Sequence, residues 1–386
     1  MGCSQSTETD VITNDIKAST ETALSEQLEK ITRVMTSTSS DELSCCGTVQ
    51  SDDSTPIWER NEGKEITRHS IRYEGPRGKL IECEYFGVHC CTHNICQNGA
   101  VIVRRITHRE TNVDYAVKIF QKAKLPGEKL RRLLEEIRIL CEVDHPNIVR
   151  LEEVYESKDE IYLVQELCEG GDLYEWLSNS VERRQDPLLW EQTCADILKQ
   201  VLSGLTYLHS KGIVHRDLKL ENILFDSNDA NSKIKIIDFG LSKHFQPGER
   251  HEEFVGSLYT MAPEVIWRNY DERCDLWSIG VIAYNLLCGI APFGGCYGEK
   301  DRQLIAKRIL HARYTFEPAG VWACVSNEAK QFIRRLLVAD ASQRPTAKEA
   351  KTSPWLLDQT VYKTCLVLPE QLIWDPIIDC NLHENC

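Results

Sequence analysis

Apolar residues keep two different periods along this chain, one after the other. From Gly99 to about residue 170 the runs are short and rich in β-branched residues. They are Ala100-Val101-Ile102-Val103, then YAVKIF, then DHPNIVRLEEVYESKDEIYLVQEL, which reads as two strands and a turn. One helix interrupts them. In GEKLRRLLEEIRILCEV, Leu130, Leu133, Leu134, Ile137 and Leu140 form an apolar stripe at helical period. Glu136 lies on the edge of that stripe, and Glu135 points elsewhere. Beyond this region the period is helical almost to Leu356. WEQTCADILKQVLSGLTYLHS, for example, sets Ile197, Leu198, Val201, Leu202, Leu205 and Leu208 at helical spacing. Strands first and helices second predict an α+β fold: a small β-rich lobe with one helix, to about residue 168, then a larger α-helical lobe over 169–356.

The ends differ from this body. Of the 386 residues, the first sixty carry four basic and eleven acidic side chains, and residues 357–386 carry one and five. Of the net −14, only −3 is left for the part between, which excludes a general polyanion binder, so no nucleic-acid partner is expected. Twenty of the first sixty residues are Ser or Thr, and residues 1–75 read as a largely disordered tail. Its start, MGCSQSTETD, has Gly2 after Met1 and Ser6 four residues on, the N-myristoylation pattern, with Cys3 available for palmitoylation. Two acyl groups would hold a cytoplasmic chain at a membrane surface. The tail 357–386 contains LVLPEQLIW, apolar enough to dock on the body.

Seventeen Cys occur without a secretory signal or a CxxC pair, which indicates a reducing compartment and thiols used as small apolar groups. Cys83, His89, Cys90, Cys91, His93 and Cys96 crowd together, at spacings that fit no zinc pattern. LWSIGVIAYNLLCGIAPF is the most apolar stretch; its Ser, Asn and Pro fit a buried core helix better than a membrane span.

The chemistry-bearing residues lie where the two patterns meet. IVHRDLKLENILF holds His215, Arg216, Asp217, Lys219 and Asn222; Asp238 follows in IIDFGLS and Glu264 in MAPEV. With Lys118 in YAVKIF and Glu136 in the helix, these motifs resemble, in order and spacing, the protein kinase family of Ser/Thr type from roughly residue 85 to 356. The resemblance implies a bilobal kinase fold over 76–356 and phosphoryl transfer from ATP with Mg²⁺ to Ser or Thr of protein substrates. It implies that Lys118 grips phosphates and pairs with Glu136, that Asp238 and Asn222 ligate Mg²⁺, and that Asp217 accepts the substrate hydroxyl proton beside Lys219. Oxygen ligands suit that hard cation. It also implies a hinge from Gln165 through Glu166 to Cys168, with Val101, Ala116 and Leu224 around adenine, Glu264 paired with Arg344, and Asp275 bracing the catalytic loop.

Two features depart from the family pattern. Three glycines are usual ahead of the first strand; here Gly99 is the third, and Asn94 and Cys96 stand in for the others. Asn tolerates positive φ better than most residues and Cys is small, so the loop can still close over ATP. In the segment between Asp238 and Glu264, Glu253 occupies the place of the usual phosphothreonine, eleven residues before Glu264. A carboxylate there can partner Arg216 without phosphate, so Arg216, Glu253 and the nearby Ser257 are the regulatory candidates, and activity without activation-segment phosphorylation is expected.

Within the family the chain most resembles the calcium-dependent kinases of the calcium- and calmodulin-dependent group, through DHPNIVRLEEVYE, CEGGDLYEWL, KIIDFGLSK and GSLYTMAPEV. No D-x-[DN]-x-[DN]-G loop occurs, DSNDANSK at 226–233 reads as a solvated turn, and the last thirty residues lack a basic amphipathic helix. Direct binding of calcium or calmodulin is therefore not expected. Asp172 and Glu221 stand where the group has acids facing substrate, which implies targets with basic residues near the acceptor Ser or Thr. The competing class is a pseudokinase scaffold that binds partners without turnover; Lys118, Glu136, Asp217, Asn222 and Asp238 are all present, which favours the enzyme.

Overall fold

The computed structural model describes residues 101–357 apart from 109–110, 126, 158, 181–185, 230, 295–300 and 318, together with the backbone of two short strands that precede them. Gly2, Cys3, Asn94, Cys96, Gly99, the side chains of the 83–96 thiol and imidazole cluster, and the tail from 358 onward lie outside the described residues.

The first lobe is a six-stranded sheet. Its strands are β1 (Arg72–Tyr73), β2 (Tyr85–Cys90), β3 (Val101–His108), β4 (Asp114–Gln121), β5 (Leu151–Glu156) and β6 (Glu160–Glu166), in the order β1-β5-β6-β4-β3-β2. All neighbours are antiparallel except β1 and β5, where Arg72 and Tyr73 run parallel to Tyr155 and Glu156. Strand β1 falls inside the stretch read from sequence as tail; two residues are too short to show a period.

Alternation along β4 decides which side chains meet the cleft. Val117 is buried on one face with Ile106, Tyr155 and Val164. Phe120, two residues from Lys118 and so on the same face, joins the main core with Leu163, Ile137 and Leu140. Helix α1 (Glu128–Glu142) covers that face. It buries Leu133, Leu134, Ile137, Ile139 and Leu140, and with them Glu136, which is only 4% exposed. A carboxylate so deep is tolerated only with a partner.

The second lobe comprises α2 (Leu173–Ser178), α3 (Pro187–Ser210), short strands β7 (Ile213–Val214), β8 (Ile223–Phe225), β9 (Ile234–Ile236) and β10 (Lys243–His244), and then helices only. Those helices are α4 (Pro263–Ile266), α5 (Cys274–Cys288), α6 (Arg302–Leu310), α7 (Ala319–Ala323), α8 (Asn327–Leu336), α9 (Ala347–Lys351) and α10 (Pro354–Leu357). Helix α3 starts on Asp186, whose carboxylate accepts from the N–H groups of Leu188 and Leu189, with Pro187 at the first position. Every residue of α5 is buried, the polar Asp275, Ser278 and Asn285 along with its apolar majority, and Gly289 ends it in the left-handed region at φ 79°. Among the described residues no helix is long and apolar enough to cross a membrane. Strands β8 and β9 form a hairpin, closed where the Asp226 N–H donates to the Lys233 carbonyl, across the acidic turn. The Cys194, Cys274 and Cys288 side chains are buried in the helical core.

Candidate active site

Period-two alternation on β4 and the helical stripe of α1 bring Lys118 and Glu136 together: Lys118 Nζ donates to Glu136 Oε1 at 3.1 Å. The same ammonium lies 3.5 Å from Asp238 Oδ1. Burial works against the Lys118 charge, but the Glu136 and Asp238 carboxylates outweigh it and raise its pKa. Lys118 in turn holds the Asp238 carboxyl below its usual range, so Asp238 is an anion with an oxygen available to a cation. Asp238 sits at φ 61°, a strained backbone for a residue with a side chain, and its carboxylate accepts from the Gly240 N–H at 3.4 Å. Phe239, which follows it, is fully buried against the His215 ring, with centroids 5.1 Å apart.

The catalytic-loop residues are fixed from below by Asp275, near the start of α5. Its two oxygens accept from the backbone N–H groups of His215 and Arg216, each at 2.9 Å, and His209 Nε2 completes the set at 2.9 Å. Burial pushes Asp275 up, and the His209 hydrogen bond and charge, with His215, more than reverse that. His215 is buried; one ring nitrogen meets the Ile237 carbonyl at 3.1 Å and the other accepts from the Asp217 N–H at 3.3 Å. That assigns the proton to Nε2. These bonds carry Arg216 at φ 70° and aim Asp217 into the cleft.

Asp217 is gripped on both oxygens. Oδ1 accepts from the Ser257 N–H at 2.9 Å and from Ser257 Oγ at 2.8 Å. Oδ2 accepts from Asn222 Nδ2 at 3.1 Å and lies 3.3 Å from Lys219 Nζ. Lys219 also donates to Ser257 Oγ at 3.1 Å, so Ser257 bridges acid and ammonium. Burial opposes the Lys219 charge, and the Asp217 and Glu221 carboxylates prevail and raise its pKa. Ser257 reaches Asp217 because Gly256 precedes it at φ 99°; a Cβ there would stand 2.5 Å from the Arg216 carbonyl oxygen. Sequence reading put Ser257 with the regulatory residues; its hydrogen bonds join it to Asp217 and Lys219.

Arg216 points away from the cleft. Nη1 lies 3.3 Å from Glu253 Oε2 and 3.2 Å from the Tyr270 hydroxyl, and Nε donates to the Leu241 carbonyl at 2.5 Å. The other Glu253 oxygen accepts from Lys243 Nζ at 2.6 Å. Burial raises the Glu253 carboxyl, but the Lys243 hydrogen bond, a backbone hydrogen bond and the Arg216 charge bring it down to about 2. Sequence analysis proposed the Arg216–Glu253 pair and missed Lys243 and Tyr270.

The residues around a nucleotide are consistent with one. Gln165 is buried on β6; Val101, Ala116, Cys168 and Leu224 are half-buried between the lobes. The Glu166 carboxylate holds Lys235 Nζ at 2.8 Å and the Arg150 N–H at 2.7 Å, which ties the connection to the hairpin below. Neighbouring backbone groups are taken up, Glu166 N–H by Arg150 and Glu169 N–H by Asp226, whereas Cys168 between them makes no backbone hydrogen bond among the described residues. A planar heterocycle could use it. Asp238 and Asn222 supply carboxylate and amide oxygens beside Lys118 and Asp217, a donor set suited to Mg²⁺. Asn94, Cys96 and Gly99 lie outside the described residues.

A sheet lobe and a helical lobe, with a paired strand lysine, a second acid beside it and an anchored loop aspartate between them, define the bilobal kinase class of fold. Residues 96–356 match the family model described as protein kinase domain, and the chain belongs to the protein kinase family. It is 37% identical over 318 residues to calcium/calmodulin-dependent serine/threonine-protein kinase 1 of Oryza sativa subsp. japonica, covering 78% of this chain and 49% of that one. Calcium-dependent protein kinase 32 of Arabidopsis thaliana is 41% identical over 285 residues, 73% of this chain and 50% of its own length. Calcium-dependent protein kinase 3 of Plasmodium yoelii yoelii is 38% identical over 254 residues, 66% and 45%. The chain thus spans about half the length of the curated relatives it matches.

Proposed function

We propose that this chain is an ATP-dependent serine/threonine protein kinase that turns over without a phosphate on its activation segment. The observation that carries the first half is Lys118 paired at once with Glu136 and Asp238 across the two lobes. That arrangement leaves an ammonium, an ionised carboxylate and an oriented Asp217 facing one cleft. ATP with Mg²⁺ would supply the γ-phosphoryl group, with Asp238 and Asn222 as donors toward the cation and the hinge backbone at Cys168 toward adenine. Asp217, held by Ser257 and Asn222, orients the substrate hydroxyl and takes its proton. Lys219 sets positive charge beside that carboxylate, where it would offset the negative charge spread over the phosphoryl oxygens during transfer. The second half is supported by Glu253, which already offers Arg216 the anion that a phosphorylated residue would provide.

The test is transfer of labelled γ-phosphate from ATP with Mg²⁺ to a basic serine peptide. Labelled peptide is expected from the native chain and none from Asp238→Asn. No transfer with ATP binding intact would make the chain a scaffold. Phosphatase treatment should leave turnover unchanged. On this reading turnover needs neither calcium nor calmodulin, and equal rates are expected in a chelator and in calcium with calmodulin. Asp172 and Glu221 support a preference for Arg before the acceptor residue, checked by removing that Arg from the peptide. Gly2 and Cys3 would carry myristoyl and palmitoyl groups that tether the cytoplasmic kinase to membranes; mass spectrometry showing both residues unmodified in protein from its own cells would refute this.

A further inference from the structure

We infer that His244 is a positioning residue for phosphoryl transfer: its ring, held between Glu135 and Glu142, clamps helix α1 so that Glu136 stays against Lys118. This deepens the kinase reading above and rests on it. His244 Nδ1 lies 2.8 Å from Glu135 Oε1, and Nε2 lies 3.0 Å from Glu142 Oε2. The two glutamates are seven residues apart, two turns along one side of α1, and Glu136 is the next residue after the first. A ring with both nitrogens against carboxylates needs both N–H groups, because neutral imidazole offers only one donor.

The other end of the clamp is equally fixed. Strand β10 holds only Lys243 and His244, paired with Val214 and Ile213 of β7. The Phe245 N–H then donates to the Gly212 carbonyl at 2.7 Å. Strand β7 leads directly into His215, Arg216 and Asp217. Alternation sends the two β10 side chains to opposite faces. Lys243 goes to Glu253, and so to Arg216; His244 goes to α1. One two-residue strand thus joins the anchored activation segment to the helix that carries Glu136.

Among the described residues the groups facing His244 are few. From α1 they are Glu135, Glu142 and, behind Glu135, Arg138, whose Nη1 lies 3.8 Å from Glu135 Oε2. Strand β7 contributes Ile213 and Val214, neither ionisable. On its own strand, Lys243 is engaged by Glu253. The Glu135 hydrogen bond raises the His244 pKa from the ordinary 6.5, against burial and with help from Glu142. The clamp is therefore complete below the ordinary value and is lost as pH rises through the raised one. Neutral His244 would turn a lone pair toward one carboxylate and repel it. The ring and both acids are partly exposed, so solvent screens the bridge, and the expected effect is about threefold to tenfold.

The experiment uses the full chain as wild type, His244→Gln and His244→Arg, with ATP, Mg²⁺ and saturating basic serine peptide, from about pH 6 to about pH 9. Amide exchange of residues 128–142 is followed at both limits. Wild-type kcat should fall about threefold to tenfold relative to His244→Arg as pH rises, because Arg keeps its charge. His244→Gln should stay low throughout, with fast exchange in α1. A His244→Gln profile parallel to wild type at every pH, whether level with it or below it, would overturn the inference. If His244→Gln does not fold, Glu142→Gln at the exposed end should shrink the pH-dependent fall, since His244 then keeps only the Glu135 carboxylate, and a profile identical to wild type would overturn the inference. Should wild type transfer no phosphate, the kinase reading fails, and pH-dependent α1 exchange in wild type but not in His244→Arg still decides the clamp.

Discussion

Replacing Glu253 by alanine removes the carboxylate that Arg216 and Lys243 share. The structure sets the size of the loss. The carboxyl falls from 4.5 to about 2 on folding, which at 1.36 kcal/mol per pKa unit would be about 3 kcal/mol. The side chain is 42% exposed, so screening reduces this to about 1–1.5 kcal/mol. Arg216 keeps the Leu241 carbonyl and the Tyr270 hydroxyl, so it is not left without partners. Glu253→Ala should therefore lower kcat about tenfold, with KM for ATP little changed, since Arg216 faces away from the cleft. The sign follows from the depressed pKa. The contribution is complete above the unfolded value of 4.5 and fades as pH falls toward about 2. Across the neutral range the ratio of wild type to Glu253→Ala should thus be flat. A phosphate in the same place would change its charge near about pH 6 and tilt the ratio. The assay is the peptide kinase reaction with and without prior phosphatase, at several pH values. If phosphatase abolishes wild-type turnover while Glu253→Ala leaves it untouched, the reasoning is refuted.

Other substitutions probe separate parts of the site. Gly256→Ala meets the Arg216 carbonyl and a φ of 99°, so kcat should fall at least tenfold while ATP affinity, read by calorimetry, stays within about twofold. Ser257→Ala removes one hydrogen bond to Asp217 and one from Lys219, worth together about 1–3 kcal/mol, a roughly fivefold to hundredfold loss in kcat that Ser257→Thr should restore. Arg344→Met leaves Glu264 buried without its bidentate partner; urea unfolding should show a loss of about 3–5 kcal/mol, partly recovered by adding Glu264→Gln.

How much of this was legible follows from where period exists. Alternation in YAVKIF puts Lys118 on the face of Phe120, and the α1 stripe puts Glu136 at its buried edge; both are local rules, and together they make the ion pair. The strain at Arg216 and Asp238 is not local, because each is held by bonds from elements far along the chain, such as Asp275 and Lys118. The segment between Asp238 and Glu264 has no sustained period: it is turns around a two-residue strand. Glu253 could be counted to because family spacing supplied a ruler, but nothing in the sequence marks Lys243 as its second partner. His244 is hidden more deeply still, since it meets Glu135, 109 residues earlier. A strand of two residues cannot announce itself by repetition. Its significance lies in separating two faces, and only the chain's path shows that one face meets the activation segment and the other the helix of Glu136. The same geometry predicts that the bridges to Glu253 and to α1 differ in pH behaviour though they start from neighbouring residues. Lys243 answers to a carboxylate ionised throughout the neutral range, and His244 to its own proton. A pH-dependent α1 beside a pH-independent activation segment is thus the signature of this dipeptide.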